Sequence, residues 1–102
     1  GKVEDVMGIA PLAERISAFG WHVIQIDGHN MAAIVEALSE AAATKDKPTV
    51  IIGYTVMAKG VPFMEGQAKW HGTTPSDREA EQALEAVGTN GRYQDFPLPV
   101  KA

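Results

Sequence analysis

Two apolar runs constrain this chain more than anything else in it: WHVIQI, Trp21 to Ile26, and PTVIIGYTV, Pro48 to Val56, with a helix-patterned stretch between them. Neither run alternates cleanly between apolar and polar residues, so each reads as a strand covered on both faces. Strand, helix, strand is a parallel crossover, and such crossovers are right-handed. Two strands of this kind do not make a self-sufficient sheet, because each leaves an unpaired edge and two faces to cover. The expected fold class is α/β, a fragment of a parallel-sheet fold in the order α-β-α-β-loop-α, with the other strands supplied from elsewhere.

The helices are written in spacing and caps. Leu12, Ile16 and Phe19 recur at helical intervals, with Pro11 suited to the first helical position and Gly20 to the stop. Asn30 can cap a helix from Met31 to about Thr44. Its packing stripe is expected to be Met31, Ile34, Val35, Leu38, Ala41 and Ala42, opposite Glu36, Ser39 and Glu40. Ser76-Asp77-Arg78-Glu79 is a capping box, predicting a helix with Ala80, Ala83, Leu84 and Val87 on its apolar side and a stop at Gly88. Residues 89–102, with an Asn90-Gly91 turn and two prolines, read as an extended tail.

Composition removes whole classes of function. The 102 residues, 45% hydrophobic and 22% charged, suffice for one ordinary domain at most. Nine Lys and Arg against 13 Asp and Glu give a net charge of -4 without a basic cluster, which argues against nucleic acid as a partner. The absence of cysteine excludes disulfides, iron–sulfur clusters and thiolate zinc sites. No apolar run approaches the roughly 20 residues of a membrane span, and Gly1-Lys2-Val3-Glu4-Asp5 is not the basic start of a signal peptide. No membrane association and a cytoplasmic location are the expectations.

Chemistry has few places to reside. His22, His29 and His71 lack metal-ligand spacing, so the chain is expected to build no metal site of its own. Asp27-Gly28-His29-Asn30 follows the first strand at the carboxyl edge where α/β proteins bind ligands, although its plainer reading is a turn and helix cap. From Met57 to Pro75 no periodic pattern holds, and structureless loops of this length are uncommon unless they are functional or disordered. Within it, Lys59 beside Gly60 could approach a phosphate closely. His71, between Trp70 and Gly72, could present an imidazole as donor or proton carrier, or simply face solvent or the core. Phe63 and Met64 read as packing residues. No Gly-x-Gly-x-x-Gly, Walker, Gly-x-Ser-x-Gly or His-Glu-x-x-His motif is present. The residues alone reach no reaction.

The run PLAERISAFGWHVIQIDGHN, then KPTVIIGYTVMAKGVPFMEG, then KWHG before a capped helix resembles the last third of the thiamine-diphosphate-binding domain of transketolases, especially the N-terminal subunit of the split form. The resemblance covers about residues 3 to 87 and not the tail, which divides the chain into 1–88, the C-terminal part of that domain, and 89–102. It implies transfer of a two-carbon ketol unit from a ketose phosphate to an aldose phosphate on thiamine diphosphate. It further implies that His71 is catalytic and reaches both the cofactor diphosphate and the donor substrate. By the same resemblance Met57 lies beside the thiazolium side and Lys59 near the diphosphate.

The family usually reads Thr-x-Lys-Gly-Lys-Gly where this chain has Thr55-Val56-Met57-Ala58-Lys59-Gly60, so one lysine and one glycine of the motif are missing, and the alanine where glycine is usual restricts the backbone. Asn30 replaces an aspartate and caps equally well. The Mg2+ ligands and the glutamate that activates the cofactor lie outside these residues in the family. The resemblance therefore implies that the isolated chain is inactive and works with the remaining transketolase segments or subunits, in a dimeric core acting on sugar phosphates. A related sugar-phosphate synthase of the same cofactor class, or a noncatalytic assembly or regulatory remnant of the fold, are the alternatives.

Overall fold

The structure is a computed structural model that describes residues 2–88. The described backbone forms two compact units, one ending at Thr55 and the other beginning at Val56. The tail at 89–102, with its expected Asn90-Gly91 turn, lies outside the described residues.

The first unit contains α1 (Val3–Val6), α2 (Leu12–Ala18), β1 (His22–Asp27), α3 (Met31–Ala43) and β2 (Thr49–Tyr54). β1 and β2 pair in parallel, from His22 against Thr49 to Asp27 against Tyr54, so their carboxyl ends finish level. This is the expected crossover, shifted by a residue at β1 and trimmed at both ends of β2. The short α1 was not expected from the pattern. Pro11 sits at the N-cap of α2 rather than inside it, its carbonyl accepting from Arg15 N at 3.2 Å.

Side chains alternate across a strand, so His22, Ile24 and Ile26 share one face of β1 and Val23 and Gln25 the other. α2 covers the second face, leaving an open groove of about 470 Å3 lined by Ala13, Glu14, Ser17, Ala18, Val23 and Gln25. α3 covers the first, where His22 Nε2 donates to Glu40 Oε1 at 2.8 Å. Ile24 and Ala37 are the buried hydrophobics of this unit among the described residues. Burying an isoleucine side chain contributes about 1.5–3 kcal/mol.

The apolar stripe of α3 differs from the expected one. Ala37 is 2% exposed and Ile34 and Ala41 are half-buried, whereas Met31, Val35 and Leu38 are 71%, 57% and 57% exposed. The helix is apolar on two faces, and the side bearing Ile34, Ala37 and Ala41 is the one that meets the sheet. Phe19, read as part of the packing side of α2, is 81% exposed because it follows the last helical residue as C-cap.

The second unit contains the loop from Val56, a 3-10 turn (Ala68–His71) and α4 (Asp77–Val87). Val61 is its buried hydrophobic residue among those described. α4 begins at the expected box, where Ser76 Oγ accepts from Glu79 N at 3.3 Å. The Ser76 hydroxyl also donates to Glu79 Oε1 at 2.8 Å, so the glutamate closes the box onto the serine hydroxyl rather than onto its amide. Gly88 ends α4 in the left-handed region at φ 78, as a stop residue does.

Candidate functional site

The turn after β1 is held by its own side chains. Asp27 Oδ1 accepts from His29 N at 2.9 Å, and Asn30 Oδ1 caps α3 by accepting from Ala33 N at 3.1 Å. Gly28 N–H donates to Tyr54 O at 2.8 Å, carrying the ladder one step past the strands. A Cβ at Gly28 would come within 2.6 Å of Thr55 Cγ2 and 3.2 Å of Tyr54 O, so close approach explains this glycine. Asp27, Gly28 and Asn30 thus do the work of the plainer reading, a turn and helix cap.

The loop that opens the second unit is a compact set of turns. Gly66 N donates to Met57 O at 2.9 Å and ties the two ends together. Inside, Lys59 N donates to Val56 O at 3.2 Å, Val61 N to Ala58 O at 3.1 Å, and both Met64 N and Glu65 N to Val61 O at 2.9 Å. Ala58 takes φ 56, a left-handed conformation that costs a non-glycine residue about 1 kcal/mol. The restriction expected of alanine here does not prevent the turn, because the bonds around it impose that geometry. Gly60 follows at φ 94, and a Cβ there would meet Val87 Cγ1 of α4 at 3.6 Å.

Lys59 lies 3.7 Å from Glu65 Oε1, and Gly60 N–H donates to Glu65 Oε2 at 3.3 Å. One carboxylate therefore bridges an ammonium and a backbone N–H, which is the donor set an anionic oxygen requires. Sequence reasoning singled out Lys59 and missed Glu65. The signal was a lone acid beside Gly66, opposite in sign to Lys59 within one turn-rich stretch.

His71 ends the 3-10 turn and is exposed. The residue before it is the anchor: Trp70 meets Phe63 edge to face with ring centroids 5.8 Å apart, and its Nε1–H donates to Phe63 O at 3.3 Å. Lys69 Nζ stands 5.1 Å from the Trp70 ring centroid, and the Thr73 hydroxyl donates to Lys69 O at 2.6 Å. Phe63 and Met64 are half-buried, in keeping with their reading as packing residues. Met57 is 38% exposed. Met57, Lys59 and His71 thus lie in one unit, and His71 is tied to the loop through Trp70 and Phe63. Among the described residues no hydrogen bond or ion pair joins His71 to Met57 or Lys59.

Among the described residues no group of three or more His, Asp or Glu could hold a metal ion, and no helix is long and apolar enough to cross a membrane.

The family described as transketolase, thiamine diphosphate binding domain, matches residues 1–101. The chain belongs to this family. It is 37% identical over 87 residues to an apulose-4-phosphate transketolase subunit of Phocaeicola vulgatus, covering 85% of this chain and 31% of that protein. It is 42% identical over 88 residues to transketolase 2 of Escherichia coli, covering 85% of this chain and 13% of that protein. With a 6-deoxy-6-sulfo-D-fructose transketolase subunit of a Clostridium species it shares 39% over 71 residues, 70% of this chain and 26% of that protein. The chain thus spans less than a third of the length of these relatives.

The Lys59–Gly60 turn fits one part of thiamine diphosphate. It already holds a carboxylate on one ammonium and one N–H, so its donors suit a diphosphate oxygen. The described residues contain no cluster for the accompanying cation.

Proposed function

We propose that this chain is the part of a transketolase that receives the diphosphate end of thiamine diphosphate and the donor sugar phosphate, and that it acts only with the other segments or subunits of that enzyme. The observation that carries the reading is the turn at Lys59 and Gly60, which in a chain of this family gathers an ammonium and a backbone N–H around one anionic group. The reaction is transfer of a two-carbon ketol unit from a ketose phosphate to an aldose phosphate.

When bound, thiamine diphosphate supplies the electron sink for the two-carbon unit. This chain's residues bind and orient. The Lys59 ammonium and the Gly60 N–H would hold diphosphate oxygens, with the charge-assisted bond as the stronger of the two. Met57 would offer its exposed thioether to the thiazolium ring. His71, held by the Trp70 anchor, donates a hydrogen bond to the diphosphate or to a donor hydroxyl and moves a proton there. Mg2+ would be held by ligands on the complementary segments and would balance the diphosphate charge, and the assembled enzyme has a dimeric core in the cytoplasm.

Native mass spectrometry of the protein as purified from its source tests this reading. A mass well above 10.9 kDa that releases this chain, other polypeptides and thiamine diphosphate is the expected result. A lone ligand-free chain, with no cofactor uptake after mixing with complementary transketolase segments, would instead support a noncatalytic remnant of the fold.

A further inference from the structure

We propose that Glu65 is a resident anion at the Lys59–Gly60 turn, occupying the donors that a diphosphate oxygen takes, so that its charge opposes cofactor binding and sets how tightly the diphosphate is held. The inference rests on the cofactor reading above and goes beyond it, because Glu65 faces the site as a competitor rather than a ligand.

The geometry has three parts. Glu65 Oε1 is 3.7 Å from Lys59 Nζ while Oε2 accepts from Gly60 N at 3.3 Å, so the two carboxylate oxygens divide a side-chain cation and a backbone donor between them. The amides on either side are used inside the loop, Lys59 N on Val56 O and Val61 N on Ala58 O, whereas Gly60 N donates to the Glu65 side chain. The carboxylate is brought there by the chain itself, since Glu65 N bonds to Val61 O at 2.9 Å and folds residue 65 back over the turn.

The contact is long and open to water, with the Lys59 and Glu65 side chains 53% and 36% exposed. An exposed ion pair of this kind contributes little to stability. The loop is closed instead by backbone bonds, of which Gly66 N to Met57 O is the clasp. A diphosphate carries more charge than a carboxylate and competes for the same two donors. Glu65 must then swing away or remain as a like charge beside it, and either outcome opposes binding.

The test uses the assembled apoenzyme carrying Glu65→Gln. Glutamine keeps an oxygen for Gly60 N–H, removes the charge and places an amide NH2 where the second oxygen faced Lys59. Thiamine diphosphate with Mg2+ is titrated calorimetrically into parent and variant at two salt concentrations, with inorganic pyrophosphate and unphosphorylated thiamine as further probes. The expected result is a dissociation constant about twofold to fivefold lower for E65Q, the range that an exposed ionic contact spans. Added salt should shrink the gain, pyrophosphate should share it, and thiamine should show no change. Equal or weaker binding by E65Q, in a protein whose parent binds the cofactor, overturns the inference alone, because Glu65 would then be a support for Lys59. Failure of the parent to bind overturns the cofactor reading and this inference with it. Should E65Q not assemble, E65A gives the same sign of effect without the retained oxygen, and weaker binding by E65A overturns the proposal.

Discussion

The Asp27–Asn30 turn and the loop from Val56 to Gln67 are both irregular, and they are held by opposite means. In the first, side chains carry the structure: the Asp27 carboxylate holds the turn, the Asn30 amide caps α3, and Gly28 is fitted against Tyr54 and Thr55. In the second, backbone bonds to backbone from Met57 through Gly66, and the side chains of Met57 and Lys59 are exposed. A polar side chain committed to shaping its own turn is poorly placed to serve a ligand as well. Substitutions in the first region should therefore act on stability, and substitutions in or beside the second on cofactor and substrate.

The largest effect tests the second half of that contrast. His71→Ala, in the assembled enzyme, should lower kcat for ketol transfer by about 100-fold to 10,000-fold, as loss of a positioned proton carrier does. Its melting temperature should stay close to the parent's, since the 3-10 turn is anchored by Trp70 rather than by the imidazole. Parental turnover by H71A would remove His71 from the site.

Gly28→Ala tests the first half. A Cβ placed 2.6 Å from Thr55 Cγ2 forces a shift that should cost about 1–3 kcal/mol in denaturant unfolding of the assembled protein. Thr55→Ser in the same protein removes that methyl and should restore part of the loss, leaving the 3.2 Å contact with Tyr54 O. The turnover of the molecules that remain folded should be unchanged. Asn30→Ala should follow at about 1 kcal/mol, the usual worth of a helix N-cap, and Asn30→Asp should cost almost nothing because its carboxylate accepts the Ala33 N–H equally well. A large fall in kcat for either alanine variant at parental stability would break the contrast.

The same contrast governs what could be read in advance. The Asn30 and Ser76 caps, the parallel pair and the Gly88 stop rest on interactions within a few residues or on plain hydropathy runs, and local pattern finds them. The face of α3 was not legible, because Met31, Val35 and Leu38 are as apolar as the residues that pack, and hydropathy does not separate the two sides. The family resemblance named Met57, Lys59 and His71, and the structure gathers them in one unit without a direct bond among them. Glu65 escaped notice because its partnership with Lys59 exists only once Ala58 and Gly60 have turned the chain, and propensity argues against an alanine doing so.

Ala58 supplies the smallest effect. Its left-handed conformation costs about 1 kcal/mol that glycine would avoid, while glycine would also lose about 0.4–1 kcal/mol through the greater freedom of its unfolded chain. Ala58→Gly should therefore raise unfolding stability by no more than about 0.5 kcal/mol and leave the affinity for thiamine diphosphate nearly unchanged. If backbone bonds impose the turn, the residue at 58 has little say in where Lys59 and Gly60 come to rest. A tenfold gain in cofactor affinity for A58G would mean instead that alanine holds those donors away from their best positions.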